Sequence, residues 1–561
     1  MSIEPRFPSV LAALLAHADG RPDDTAITLA GGRSEPVALS YEALVHNASR
    51  AAAALAESGA SAGDRVLIAL PTGPEFVTAF LGAQLLGAIP VATATPGGLG
   101  GKAGFTEKFG ALLAYLRPAA IVSTADVVAG LAESATGAAL LEGAALHARA
   151  TAATAPEMPV RHPDPESIAF IQCTSGSTGT PKGVMISHAN LAANCEQIVR
   201  FTAWGAADTF VSWLPLYHDF GLVCGTGVPI YAGTPTVLMP PDRFLRAPAE
   251  WLRLLTTHRG TMTSAPNFAL GYCAARIRDT DLEGVDLSSL RMLFCGGEPV
   301  RPETVRRFTD RFAEWGLPAR SVMNSYGMAE ATLAVAAERP GAGLRHDTVA
   351  RDALSARGEA SDVAESDADG MPVTHCGIPM PGTGIRIVGD DDRPVADGTV
   401  GHVHFRGPGR TAGYFDLPEE TAAAVTGDGW WRTGDMGYLR DGRLRITGRS
   451  KDMIIIRGAN YFPTDFESIV EAVPGVRPGG VVAVGHRAAH EDSESLHLVV
   501  ETDADGGEHE RLGYAIRSTI SHRTGVFAAG VRLVPRHSIP KTTSGKVQRS
   551  RTRQLFLGAE S

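Results

Sequence analysis

The sequence predicts an α/β protein: a large N-terminal region of layered helices and strands, followed by a small C-terminal domain of mixed α and β structure. Three observations predict it. Helical patterns alternate with short apolar runs, as expected of sheets covered by helices. That rhythm breaks at a connector-like stretch and then returns, which implies two α/β layered subdomains. Beyond residue 398 it gives way to short strands punctuated by glycine, a small β-rich subdomain, and from residue 450 a separate pattern runs to the end. At about 100 to 200 residues per domain, the 561 residues leave room for this division.

The elements follow in order. The apolar stretch 10–16 is too short for a membrane span and has no basic leader before it, so neither a span nor a secretory signal is expected. A helix is expected over 41–58 and a buried strand over 65–70, with the alternation continuing to residue 122. Residues 131–159, rich in Ala, Thr and Pro, read as a connector. A strand over 168–172 and a helix over 189–201 open the second layer. A strand over 291–295 follows, and Arg301-Pro302-Glu303 starts a helix, because proline fits the first turn. Val305, Phe308 and Phe312 share one face of that helix. Residues 354–370 read as a second connector and 502–510 as an acidic loop. The strand at 444–447 ends the β-rich part, which places the domain boundary between residues 449 and 450.

Composition narrows the function. With 44% hydrophobic and 20% charged residues, the chain is an ordinary globular protein rather than a disordered or membrane-embedded one. Its 51 Lys and Arg against 61 Asp and Glu leave a net charge of -10, a field that repels nucleic acid. A polyanion must therefore bind at a local site. Cys173, Cys195, Cys224, Cys273, Cys295 and Cys376 form no C-x-x-C pair, which argues against a zinc cage or a disulfide framework and for reduced thiols in the cytoplasm.

The segment Thr174-Ser175-Gly176-Ser177-Thr178-Gly179-Thr180-Pro181-Lys182-Gly183-Val184 carries the most chemical information. Glycines let backbone N–H groups approach an anion, hydroxyls add donors and Lys182 adds charge, which together suit a polyphosphate. The order is not that of a Walker A loop. The bland reading is a Ser/Gly surface loop.

Further motifs follow it in order. They are Tyr326-Gly327-Met328-Ala329-Glu330, Thr433-Gly434-Asp435, Gly448-Arg449-Ser450-Lys451-Asp452 and Pro540-Lys541-Thr542-Thr543-Ser544-Gly545-Lys546. This series resembles that of the adenylate-forming enzymes, which include acyl-CoA synthetases, peptide-synthetase adenylation domains and luciferases. Residues 212–222, 244–253, 264–268 and 375–377 are most similar to fatty acyl-AMP ligases. Residues 346–373 resemble the extra segment of those ligases.

The resemblance implies a reaction and a set of roles. A hydrophobic carboxylic acid would be activated by ATP as acyl-AMP with release of pyrophosphate, then passed to a phosphopantetheine thiol of an acyl carrier protein or of CoA. Thr174, Ser175, Gly176, Ser177, Thr178, Gly179 and Lys182 would hold the β and γ phosphates, and Glu330 would place Mg2+. Adenine would lie between Gly297-Glu298-Pro299 and Tyr326, with Gly327 adjoining. Asp435 would accept the ribose hydroxyls with Arg449 close by. Lys546 would bridge the acid carboxylate and the α-phosphate. Lys451 would be the hinge about which a mobile C-terminal domain turns. His218 reads either as a buried, hydrogen-bonded histidine or as a group near the phosphates and the carboxylate.

The sequence departs from the family at 90–98, where a Tyr-Pro-Pro segment is usual, and at Cys173, which replaces a tyrosine. Both lie in or near the expected substrate half and count against a straight-chain fatty acid. The 346–373 segment, poor in apolar residues, is expected to be loosely anchored. The alternatives are a CoA ligase, an enzyme retaining one half-reaction, and a noncatalytic adenylate-binding protein.

Overall fold

Ser40 accepts a hydrogen bond from the Ala43 N–H at 3.2 Å and so starts helix Tyr41–Glu57, which buries Leu44, Ala48, Ala51 and Leu55. Helix Pro74–Leu86 packs against it so closely that a Cβ on Gly82 would sit 2.6 Å from the Cβ of Ala51. Beneath this pair lies a four-stranded parallel sheet with Arg65–Ala69 and Ala120–Ser123 in the centre, flanked by Ile89–Ala92 and Ala139–Glu142. This is the first α/β layer, seen in a computed structural model that describes residues 3–30, 35–95, 105–132, 137–174, 182–367, 369–487, 493–542 and 546–558.

The second layer is a fourteen-stranded sheet. Its centre is parallel: Phe210–Ser212, Met262–Ala265, Met292–Gly296 and Val322–Gly327 lie side by side. Val305, Phe308 and Phe312 of helix Pro302–Phe312 pack on this sheet, as their shared face predicts. Thr25–Leu29 and Val37–Ser40, from the first forty residues, add the far edge beside Thr236–Leu238. At the other end Ala334–Ala337, Gly370–Pro379 and Arg443–Arg449 continue the same sheet antiparallel, so the β-rich part extends it rather than standing apart.

The small C-terminal domain has its own core. Strands Val476–His486, Ser495–Thr502 and Ala528–Val534 carry helices Pro463–Glu471 and His509–Thr524 on one face and Arg549–Leu557 on the other. The turn Ser450–Asp452 lies between the last strand of the large sheet and this domain. Among the described residues no helix is long and apolar enough to cross a membrane.

Three expectations need correction. Residues 131–159 are not a bare connector, since they contain strand Ala139–Glu142 and helix Gly143–Thr151. Strand Lys182–Ser187 lies between the glycine-rich segment and the helix after it, because the apolar run Val184–Ile186 pairs with Gln172–Phe170 to close a hairpin. Residues 346–373 are firmly anchored. His346–Ala350 pairs with Gly370–Pro379, helix Arg351–Arg357 lies between them, and Val349, Leu354, Met371 and Val373 pack against Tyr438 and Phe462. Few apolar residues suffice there because nearly all of them face inward. Phe462 belongs to the small domain, and Arg351 adds a buried ion pair to Asp465 in the same domain.

Candidate active site

Strands Ile168–Thr174 and Lys182–Ser187 run antiparallel and set Thr174 opposite Lys182, so the two ends of the glycine-rich segment are fixed as a hairpin. Ser175, Gly176, Ser177, Thr178 and Gly179 lie outside the described residues. Helix His188–Thr202 begins only after the second strand, capped by Ser187, so it does not open directly from the loop.

Lys182 rests its ammonium 4.8 Å from the ring centre of Tyr414. The Tyr414 hydroxyl donates to Oε1 of Glu330 at 2.8 Å. Glu330 sits on the turn Ala329–Ala331 that follows strand Val322–Gly327. Burial raises the Glu330 carboxyl above its ordinary value, with the Tyr414 hydrogen bond opposing. Gly327 has a steric reason to be glycine, since a Cβ there would lie 1.8 Å from the carbonyl oxygen of Leu333.

Asp435 and Arg449 face each other across neighbouring strands Trp431–Arg440 and Arg443–Arg449, and Arg449 Nε lies 3.1 Å from Asp435 Oδ1. The Tyr326 hydroxyl donates to Asp435 Oδ2 at 2.6 Å. Thr433 Oγ1 accepts the Asp435 N–H at 3.0 Å and fixes a turn in which Gly434 has φ +74°. Burial and the Asp435 charge push the Tyr326 phenol well up, so it stays a donor. Each carboxylate oxygen of Asp435 therefore has one protein donor and retains acceptor capacity.

Gly297-Glu298-Pro299 leaves strand Met292–Gly296, with Gly297 at φ +79°. Glu298 Oε1 accepts the Phe268 N–H at 2.6 Å, and burial raises its carboxyl against the opposing charges of Lys546 and Arg301. His218 precedes the short helix Asp219–Leu222, and its Nδ1 lies 3.7 Å from Asp219 Oδ1. Burial works to raise Asp219, yet the hydrogen bond and charge of His218, helped by Lys546, hold it below its ordinary value. Gln172 Nε2 donates to the Tyr217 carbonyl at 2.9 Å and ties the hairpin to the His218 segment.

Lys546 belongs to the small domain, where its N–H donates to Thr542 Oγ1 at 3.1 Å. Its charge is felt at both Asp219 and Glu298, which come from two different loops of the large region. Burial lowers the Lys451 ammonium, and the charges of Arg449 and Lys182 lower it further. The fold thus brings residues from distant parts of the chain near one another. Sequence reasoning missed Tyr414, Asp219 and Gln172. Asp219 stood inside a quoted motif, whereas Tyr414 offered no signal beyond a lone aromatic after glycine.

Among the described residues no three His, Cys, Asp or Glu side chains are grouped to hold a metal ion. A divalent cation here would rely on Glu330 and phosphate oxygens, which fits the way Mg2+ is commonly bound.

A sequence profile of AMP-binding enzymes matches residues 14–415. The chain belongs to the AMP-binding enzyme family. A Caulobacter vibrioides relative provisionally named an acyl-CoA synthetase is 34% identical, covering 98% of this chain and 96% of its own. A long-chain-fatty-acid–AMP ligase of Mycobacterium marinum is 35% identical, covering 97% and 96%. A solved structure from work on fatty acyl-adenylate ligases of E. coli and L. pneumophila superimposes with TM-score 0.89 at 32% identity, covering 99% and 98%. The family and the two-part α/β fold expected from the motif series are both borne out.

Proposed function

We propose that this chain activates a hydrophobic carboxylic acid as acyl-AMP, with release of pyrophosphate, and transfers the acyl group to the phosphopantetheine thiol of a carrier protein. A carboxylate is a poor electrophile. Its oxygen attacks the α-phosphorus of ATP, the α–β bridging P–O bond breaks, and the mixed anhydride formed is open to a thiol. The thiol sulfur then bonds to the acyl carbon, AMP leaves with the electron pair of the broken C–O bond, and the thiol proton passes to solvent.

The observation that carries this reading is the joining of Tyr326 and Arg449 to Asp435 and of Lys182, through Tyr414, to Glu330, with the charge of the small-domain residue Lys546 felt at Asp219 and Glu298 of the large region. A cation in that place offsets negative charge as it builds between carboxylate and α-phosphate. Asp435 supplies acceptors for two ribose hydroxyls, and Tyr326 and Arg449 hold it for that purpose. Gly297-Glu298-Pro299 and Tyr326 flank the base. Lys182 and the loop from Thr174 receive the β and γ phosphates. Mg2+, held through Glu330, would neutralise the phosphate charge there. His218 orients and charges Asp219 beside the acid. The boundary lies at 449/450, with Lys451 as the pivot about which the small domain withdraws Lys546. Six free thiols support a cytoplasmic setting.

A hydrophobic acid is supported by the likeness to the long-chain-fatty-acid–AMP ligase of Mycobacterium marinum; the apolar cavity lined by Phe76, Phe80, Phe170, Leu222 and Ile230 holds only about 30 Å³, too little for such an acid without rearrangement. CoA as acceptor is the second reading, favoured by the name of the Caulobacter relative. The anchored 346–373 segment favours the carrier, because its contacts with Phe462 and Asp465 would resist a turn of the small domain that opens a path for a free thiol. A panel of acids assayed for acyl-AMP and pyrophosphate, followed by CoA or holo carrier protein, tests both steps. No adenylate with any acid, but thioester from supplied acyl-AMP, would leave only the second half-reaction standing.

A further inference from the structure

The two elements assigned to the phosphates are held by one short segment, residues 411–415. Thr411 donates its N–H to the Glu330 carbonyl at 2.8 Å and its hydroxyl to the Met185 carbonyl at 2.6 Å. Strand Gly413–Tyr414 pairs with Lys182–Ser187, and the Phe415 N–H donates to the Gly183 carbonyl at 2.7 Å. The Tyr115 hydroxyl closes the same junction, donating to the Phe415 carbonyl at 2.5 Å while accepting from the Gly183 N–H at 3.1 Å. The backbone of 411–415 is thus locked to both the Glu330 turn and the base of the hairpin, and a side chain on it has little freedom of its own.

Tyr414 is that side chain. Its ring face lies under the Lys182 ammonium and its hydroxyl donates to Glu330. Donation to a carboxylate enriches the ring in electron density, which strengthens the attraction of its face for a cation. Lys182 and Glu330, 148 positions apart in sequence, are in this way oriented through a single phenol.

We propose that Tyr414 is a positioning residue that couples Lys182 to Glu330, so that the loop cation and the metal-placing carboxylate meet the triphosphate together. This rests on the reading above that Glu330 places Mg2+. Removal of the hydroxyl should weaken binding of the metal complex of ATP while sparing ATP alone, whereas removal of the ring should weaken both.

Calorimetric titration of the full chain with ATP plus MgCl2, and with ATP plus EDTA, tests this without turnover. Tyr414→Phe should raise Kd for MgATP about tenfold, the loss expected for a hydrogen bond to a charged group, and leave Kd for metal-free ATP within twofold. Tyr414→Leu should weaken both. Glu330→Gln should weaken MgATP, and Glu330→Gln/Tyr414→Phe should be no weaker than Glu330→Gln alone. If Glu330→Gln binds MgATP as the native protein does, the Mg2+ reading falls and the coupling with it. If Glu330→Gln is weakened but Tyr414→Phe is not, the coupling alone is overturned. Equal weakening of MgATP and metal-free ATP by Tyr414→Phe, or a collapse of its thermal unfolding transition, would make Tyr414 a structural residue and also overturn the inference.

Discussion

Asp465→Asn is the sharpest perturbation of domain orientation. Arg351, at the start of the 346–373 segment's helix, pairs with Asp465 of the small domain, and their side chains are only 6% and 9% exposed. Burial, with Arg523 nearby, lowers the Arg351 guanidinium to about 10, a sign of how far it is removed from water. An exposed pair contributes about 0.2–1 kcal/mol, but leaving one partner of a buried pair alone costs about 3–5 kcal/mol. The lower end is appropriate here, because the second cross-domain pair, Arg301 with Glu471, is 29% and 14% exposed and persists. The cost applies only to the orientation in which the pair forms, so a loss of about 3 kcal/mol shifts the orientational equilibrium about a hundredfold at 1.4 kcal/mol per decade. Rates of thioester formation with CoA and with a holo carrier protein, measured side by side from supplied acyl-AMP, should show the CoA-to-carrier ratio rising at least tenfold. Arg351→Met/Asp465→Leu replaces the charges with apolar groups and should keep the native ratio, since a buried pair so replaced is often neutral for stability. A ratio within twofold of native in Asp465→Asn would refute the argument that this contact selects the acceptor.

Three further outcomes are expected. Lys546→Ala should lower acyl-AMP formation about 100- to 1,000-fold, the usual loss on removing one charge-stabilising group, while transfer from supplied acyl-AMP continues; pyrophosphate release and thioester assays separate the two. Lys451→Pro, which fixes φ and removes an N–H, should spare adenylation and slow transfer, and native transfer rates would move the pivot elsewhere. His375 connects Asp347 and Glu338, and although burial works to lower its imidazole, these carboxylates raise it overall. Its contribution is fully present below the ordinary value near 6.5 and is lost as pH rises through the raised one, so chemical-denaturation stability should fall across that window and His375→Gln should flatten the fall.

Much of the fold was legible because it is local. The proline-started helix at 302 and the alternation around 41–70 are set by residues within a turn or two of one another, and they fold as the pattern says. The make-up of the glycine-rich segment was legible for the same reason, since glycines, hydroxyls and Lys182 stand within nine consecutive residues. The strand Lys182–Ser187 was not, because six residues after a loop read equally well as the approach to a helix until Phe170 to Thr174 supply their pairing partners.

What the sequence by itself determined is the chemistry on offer: a loop of glycines, hydroxyls and a lysine suited to an anion, a set of acidic and basic residues in a recurrent order, and a small domain with a lysine near its end. Only the tertiary structure decided which of these meet. The bond from Tyr326 to Asp435 spans 109 positions, and that from Tyr414 to Glu330 spans 84. Both depend on sheet register, and a slip of one residue would turn Tyr326, Asp435 or Tyr414 to the opposite face of its strand. The anchoring of 346–373 was hidden in the same way, because a handful of apolar residues looks weak in sequence and becomes strong once most of them pack with Tyr438 and Phe462. Composition counts apolar groups, but burial depends on direction, and direction is set only when distant strands have paired.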